Sequence, residues 1–125
     1  MNFHSVGLVN DARKSLQLNF PSQMEHFYTE RNITKGGMPG GDFNGPSCND
    51  ILKAATLSEL AGLLGPPGDI WIRYLQSIRE VNSRLAMREL STRTFDAIKE
   101  FSDCFEVCEA VVNGVTETLK ECSLH

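Results

Sequence analysis

No stretch of this sequence stays apolar over the roughly 18 residues that a transmembrane helix requires. The opening MNFHSVGLVNDARKSL also lacks a basic segment followed by an apolar one. Neither membrane insertion nor export is expected, and the chain reads as cytoplasmic or nuclear. Cysteine is scarce: Cys48, Cys104, Cys108 and Cys122 are few and widely spaced, so free thiols are expected rather than a disulfide framework. Asn32-Ile33-Thr34 spells a glycosylation sequon, but without a secretory signal it carries no meaning. Positive charge is short as well. Twelve Lys and Arg stand against 16 Asp and Glu, a net charge of −4, so nothing in bulk draws the chain to phosphates or anionic lipid, and neither nucleic-acid nor membrane binding is expected. Of the three histidines, His4, His26 and His125, none sits near a Ser or Cys in a nucleophile motif, and the carboxylates are scattered as on solvated helices. No catalytic residue and no cofactor is expected, and the chain reads as a non-enzyme.

The stretch KGGMPGGDFNGP, residues 35 to 46, holds five Gly and two Pro and cannot sustain a helix or strand interior. It lacks the GxxxxGK[ST] order of a phosphate-binding loop. It reads as a linker between an N-terminal segment, 1 to 34, and a helical domain, 47 to 125. Within the first segment Leu16, Leu18 and Phe20 alternate with polar residues as in a half-buried strand, and Pro21 opens a short helix carrying Met24, Phe27 and Tyr28. These aromatics suit a loosely attached docking segment.

After the linker the pattern is helical. Ser47 with Asp50, and Thr56 with Glu59, have the spacing of N-terminal caps, and Leu57, Leu60, Leu63 and Leu64 follow before Gly65-Pro66-Pro67 stops the helix. A helix over 47 to 64, bent near Thr56, is expected. Asp69 is suited to cap the next, in which Trp71, Tyr74, Leu75, Ile78, Val81 and Leu85 form one stripe while Arg73, Arg79, Arg84 and Arg88 form the opposite face. In the last helix Ile98, Phe101, Phe105, Cys108, Val112, Val115, Leu119 and Cys122 are spaced 3, 4, 3, 4, 3, 4, 3, a heptad pattern of a and d positions. Ala97, Cys104 and Val111 at g widen it towards the face of a bundle helix. Asn113-Gly114 inside the run costs helix stability, about 1 kcal/mol for the glycine. The two heptad frames do not join, so a turn near 91 to 94 is expected, with a skip in one long helix as the alternative. Residues 69 to 90 carry net charge +1 and residues 91 to 125 net −4, which suits pairing, though exposed ion pairs are each worth only about 0 to 1 kcal/mol.

The fold expected is therefore all-α: a helical hairpin or three-helix bundle with a long, coiled-coil-like C-terminal helix and the loosely attached N-terminal segment. Cys104 and Cys108 fall on the packed face of that helix among Asp103, Glu106 and Glu109, acids that oppose thiolate formation, so they read as small core side chains. A zinc site from Cys104, Cys108, Cys122 and His125 would need ligands about 21 Å apart along one helix. No metal is expected. The function that fits is a non-enzymatic interaction subunit, associating with itself or with another protein through Ile98, Phe101, Phe105, Cys108, Val112, Val115 and Leu119. The alternatives are a cysteine-based metal or redox protein and a small RNA-binding factor using the arginine face of residues 73 to 88.

Overall fold

In a computed structural model of the chain, which describes residues 5–32, 45–88 and 91–123 and their side chains as far as Ala110, every regular element is helical. The linker is thus outside the described residues except for Gly45 and Pro46, which open a helix.

The N-terminal segment departs most from expectation. Residues 16 to 20 are not a strand: helix α1 runs Ser5–Asn19. Leu16 is buried, while Leu18 is 66% exposed. The alternation therefore arises where one turn of helix happens to place Leu18 on its wet side. Pro21 then sits at the start of helix α2, Pro21–Arg31, where its missing N–H costs nothing. Phe20 between them stays tied to both helices, donating its N–H to Leu16 O at 2.8 Å and accepting from Met24 N–H at 2.9 Å. Asn32 closes α2 in the left-handed conformation at φ 52°, a role asparagine fills more cheaply than most residues.

Nor is the segment loosely attached. Val9, Ala12 and Leu16 from α1 and Met24, Phe27 and Tyr28 from α2 belong to the same buried cluster as residues of the later helices. Five of them, with Arg13, surround a void of only about 10 Å³ together with Ile51, Leu60 and Leu75. Arg31 fastens α2 to the later helices from outside, donating to Thr56 Oγ1 at 3.3 Å and pairing with Glu59 while its guanidinium lies 5.6 Å from the Phe27 ring centre.

The helix expected over 47 to 64 is two: α3, Gly45–Ile51, and α4, Ala54–Leu64. The break falls at Leu52-Lys53 rather than at Thr56, because Lys53 is extended at φ −63° and ψ 141°. Thr56 lies inside the first turn of α4, buried, with its hydroxyl engaged by Arg31 instead of capping. At the other end Gly65 takes φ 68° and ψ −168° and returns its N–H to Ala61 O at 3.0 Å. A 3-10 turn, Pro66–Gly68, follows and leads into helix α5, Asp69–Ala86. Asp69 is the first residue of α5, not its cap, and its carboxylate faces the positive end of the helix dipole.

Helix α5 is the centre of the fold. It packs against α1 and α4 and against helix α6, Thr92–Ser123. Trp71, Tyr74, Leu75, Ile78 and Val81 are all buried, joined by Ile72 on a second side, as contact with three helices demands. Met87 and Arg88 end α5 in a turn, Arg88 at φ 53°. Ser91 then accepts the N–H groups of Thr94 and Phe95 at 3.0 and 3.2 Å to start α6. The turn therefore falls at Met87-Arg88, earlier than the expected 91 to 94, and Thr92 to Thr94 already belong to α6.

Candidate functional site

Helix α6 carries the residues singled out for association, and the structure divides them. The side chains buried against α5 are Thr94, Ala97, Cys104 and Cys108, with Phe101 half-buried between them. These are the d and g positions, spaced 3, 4, 3, 4. The a positions lie at the margin: Ile98 is half-buried and Phe105 is 39% exposed. Small residues on the seam let two helix backbones approach closely, and the bulky a side chains then have no room between them. The side chains of Val112, Val115, Leu119, Cys122 and His125 are outside the described residues.

Tyr74, Phe101 and Phe105 form an aromatic cluster at this margin, with ring centres 5.8, 6.3 and 6.0 Å apart pairwise. Trp71 meets Tyr74 edge-on at 6.4 Å. Phe95 and Val107, 66% and 52% exposed, add further apolar surface on α6. Beside the cluster a hollow of about 160 Å³ is lined by Asp11, Ala12 and Ser15 of α1, Trp71 and Tyr74 of α5, and Phe105, Cys108 and Glu109 of α6.

Two of the four arginines on this face of α5 are tied to carboxylates. Arg73 reaches across to Glu100 of α6 at 2.8 Å, and Arg84 pairs with Glu80 of its own helix at 2.6 Å. The hydrogen bond and charge of Arg73 hold the Glu100 carboxyl below its ordinary range. Arg73 and Arg79 border an open polar cleft of about 520 Å³ with Glu80 and Glu100 on the same rim, a mixed rather than a basic surface. Such a rim is unlike the continuous positive groove that tracks a nucleic-acid backbone.

The cysteines are placed by their surroundings. Burial is the first cause raising the thiol of Cys104, to which the charge of Glu100 adds, and it pushes Cys108 up to about 11. The Cys108 thiol points at Ile70 O, 3.8 Å away. Cys48 of α3 is also buried and accepts a weak contact from Asn10 Nδ2 at 3.7 Å. No group of three or more His, Cys, Asp or Glu side chains that could hold a metal exists among the described residues. Compared with an ordinary thiol at 9.0, Cys108 at about 11 holds roughly a hundredfold less thiolate near pH 8. Iodoacetamide should therefore alkylate Cys104 and Cys108 far more slowly in the folded protein than in urea, as peptide mass spectrometry will show. Equal rates would mean that neither thiol is a core side chain. Because folding raises the pKa of Cys108, its contribution to stability is fully present below about pH 9 and is lost as pH rises through about 11.

No family model, curated protein or solved structure matches this chain. No described helix is long and apolar enough to cross a membrane.

Sequence reasoning missed the polar core of α1. Arg13 is only 5% exposed, and its Nε donates to Asn10 Oδ1 at 3.3 Å while Asn10 donates to Val6 O at 3.0 Å. Arg13 also acts on Tyr28: its charge and hydrogen bond pull the phenol down, but burial outweighs both and leaves it at about 12. Val9, Ala12 and Leu16 at helical spacing were the available signal.

Proposed function

We propose that the protein is a non-enzymatic helical interaction subunit that associates through α6, with copies of itself or with a helical partner protein. The observation that carries this reading is a mismatch of lengths. Helix α6 has 32 residues and α5 has 18, about 48 and 27 Å of helix. Cys108 of α6 is already level with Ile70 at the start of α5. The remaining 15 residues of α6, Glu109 to Ser123, extend about 22 Å further along its axis. In sequence this extension continues the heptad with Val112, Val115 and Leu119. Isolated helices of this length are marginal in water, so a long helix is held by packing more than by propensity. The acidic extension, with Glu109, Glu117 and Glu121 against Lys120, suits a partner helix bearing basic flanks.

Phe95, Phe105 and Val107 add exposed apolar surface to the same helix, and each such side chain is worth about 1.5 to 3 kcal/mol if fully buried. Replacing Val112 and Leu119 together with Glu should abolish association, measured by sedimentation over a range of concentrations and by co-purification from the native cell. Replacing the exposed Asp103 and Glu106 with Ala should leave it intact. A wild-type chain that stays monomeric at every concentration and retains no helical partner would refute the reading.

A further inference from the structure

The hollow between α1, α5 and α6 combines features that the core does not need. Its wall is apolar and aromatic, from Trp71, Tyr74, Phe105 and Ala12, yet two carboxylates border it, Asp11 from α1 and Glu109 from α6. Both acids are exposed, and neither has an ion pair among the described residues. At about 160 Å³ it is too roomy for a bare ammonium ion and suits a short alkyl stem bearing a charge. Apolar walls favour the stem, and carboxylates at the rim bind the charged head by charge-assisted hydrogen bonds.

We propose that this hollow seats the side chain of an arginine or lysine presented by a partner protein. Charge complementarity selects this occupant: a neutral apolar side chain would leave both carboxylates beside a newly dried surface, whereas a basic one satisfies them as it enters. The assignment deepens the association reading and rests on it for the source of the cation. Its test uses small probes and never reads assembly, so the two can fail separately.

Trp71 is the only tryptophan in the chain and lines the hollow, so its fluorescence reports occupancy directly. Titration with butylguanidinium, the arginine stem and head group, should give a saturable change in the millimolar range. Guanidinium without the stem, and pentanol without the charge, should each bind at least about tenfold more weakly. Asp11→Asn with Glu109→Gln should weaken butylguanidinium by about tenfold or more. Asp96→Asn, an exposed acid elsewhere on α6, should not, and matching melts will show both variants folded. Nα-acetylarginine methylamide, which carries the peptide backbone, should bind at least as well as butylguanidinium. Pentanol binding as tightly as butylguanidinium, or undiminished affinity in the double amide variant, would overturn the site. Rejection of the backbone-bearing probe would overturn the partner side chain as its occupant.

Discussion

A chain beginning at residue 47 should lose cooperative thermal unfolding and show the circular dichroism of a largely unfolded polypeptide. The deleted region contains Val9, Leu16, Met24, Phe27 and Tyr28, all buried in the common core. At about 2 kcal/mol for each large apolar side chain removed from water, their loss amounts to about 10 kcal/mol. That equals the whole net stability of a typical domain, about 5 to 15 kcal/mol. Deletion also uncovers the surfaces they seal, including Ile51, Leu60 and Leu75 around the central void. Phe27→Ala is the milder form of the same experiment. With 1% of its surface exposed, Phe27 should cost about 3 to 5 kcal/mol when truncated, visible as a lower midpoint in urea. A truncated chain that melts cooperatively at the wild-type temperature would show that α1 and α2 are an appendage after all.

Gly68→Ala should destabilise the protein by about 1 to 3 kcal/mol, in the range of an overpacked core. Gly68 is the last residue of the turn between α4 and α5 and is buried. A Cβ there would collide with the Cβ of Leu64, and would lie 2.7 Å from its Cδ1 and 3.1 Å from its Cγ. The identity of the nearest atom makes the expectation sharp. Trimming Leu64 to Ala removes Cδ1 and Cγ but leaves Cβ, so Leu64→Ala should not rescue Gly68→Ala. A double-mutant cycle in urea should return nearly additive losses. Clear rescue would mean that the turn shifts its backbone cheaply. Gly65, with open space about its Cβ position save Pro67 Cδ at 3.9 Å, should cost about 1 to 3 kcal/mol as alanine through its backbone conformation alone, φ 68° with ψ −168°.

What the sequence disclosed follows how cleanly each helix keeps its faces apart. In α5 the stripe from Trp71 to Val81 is apolar without interruption and the arginines lie opposite, so the helix and its buried side were legible. Gly65-Pro66-Pro67 was legible too, because glycine and proline act on the backbone whatever surrounds them. Helix α1 was hidden by its own chemistry. Asn10 and Arg13 sit on its buried side, where a binary pattern expects apolar residues, and Leu18 faces solvent, where it expects polar ones. The polar pair is tolerated because the two bond each other and Asn10 bonds the helix backbone, a tertiary arrangement that spacing cannot show. In α6 the heptad period was plain and its phase was not: a, d and g were all apolar, and the choice of d and g against α5 rests on the smallness of Ala97, Cys104 and Cys108. Which surfaces meet a partner was the least legible, because an apolar residue has the same letter on an inner seam as on an outer one.

The order in which the fold acquires its contacts has a consequence in time. Helices α5 and α6 are neighbours along the chain and can close on each other through a short loop, with little entropy to overcome. Helix α1 ends at Asn19, and α5, against which it packs, does not begin until Asp69. During synthesis the apolar side of α1 therefore emerges about fifty residues before its main support exists, some 3 to 10 seconds at 5 to 20 residues per second. For that interval Val9, Ala12 and Leu16 have only α2 and α3 to cover them, and stay partly sticky surface in the nascent chain.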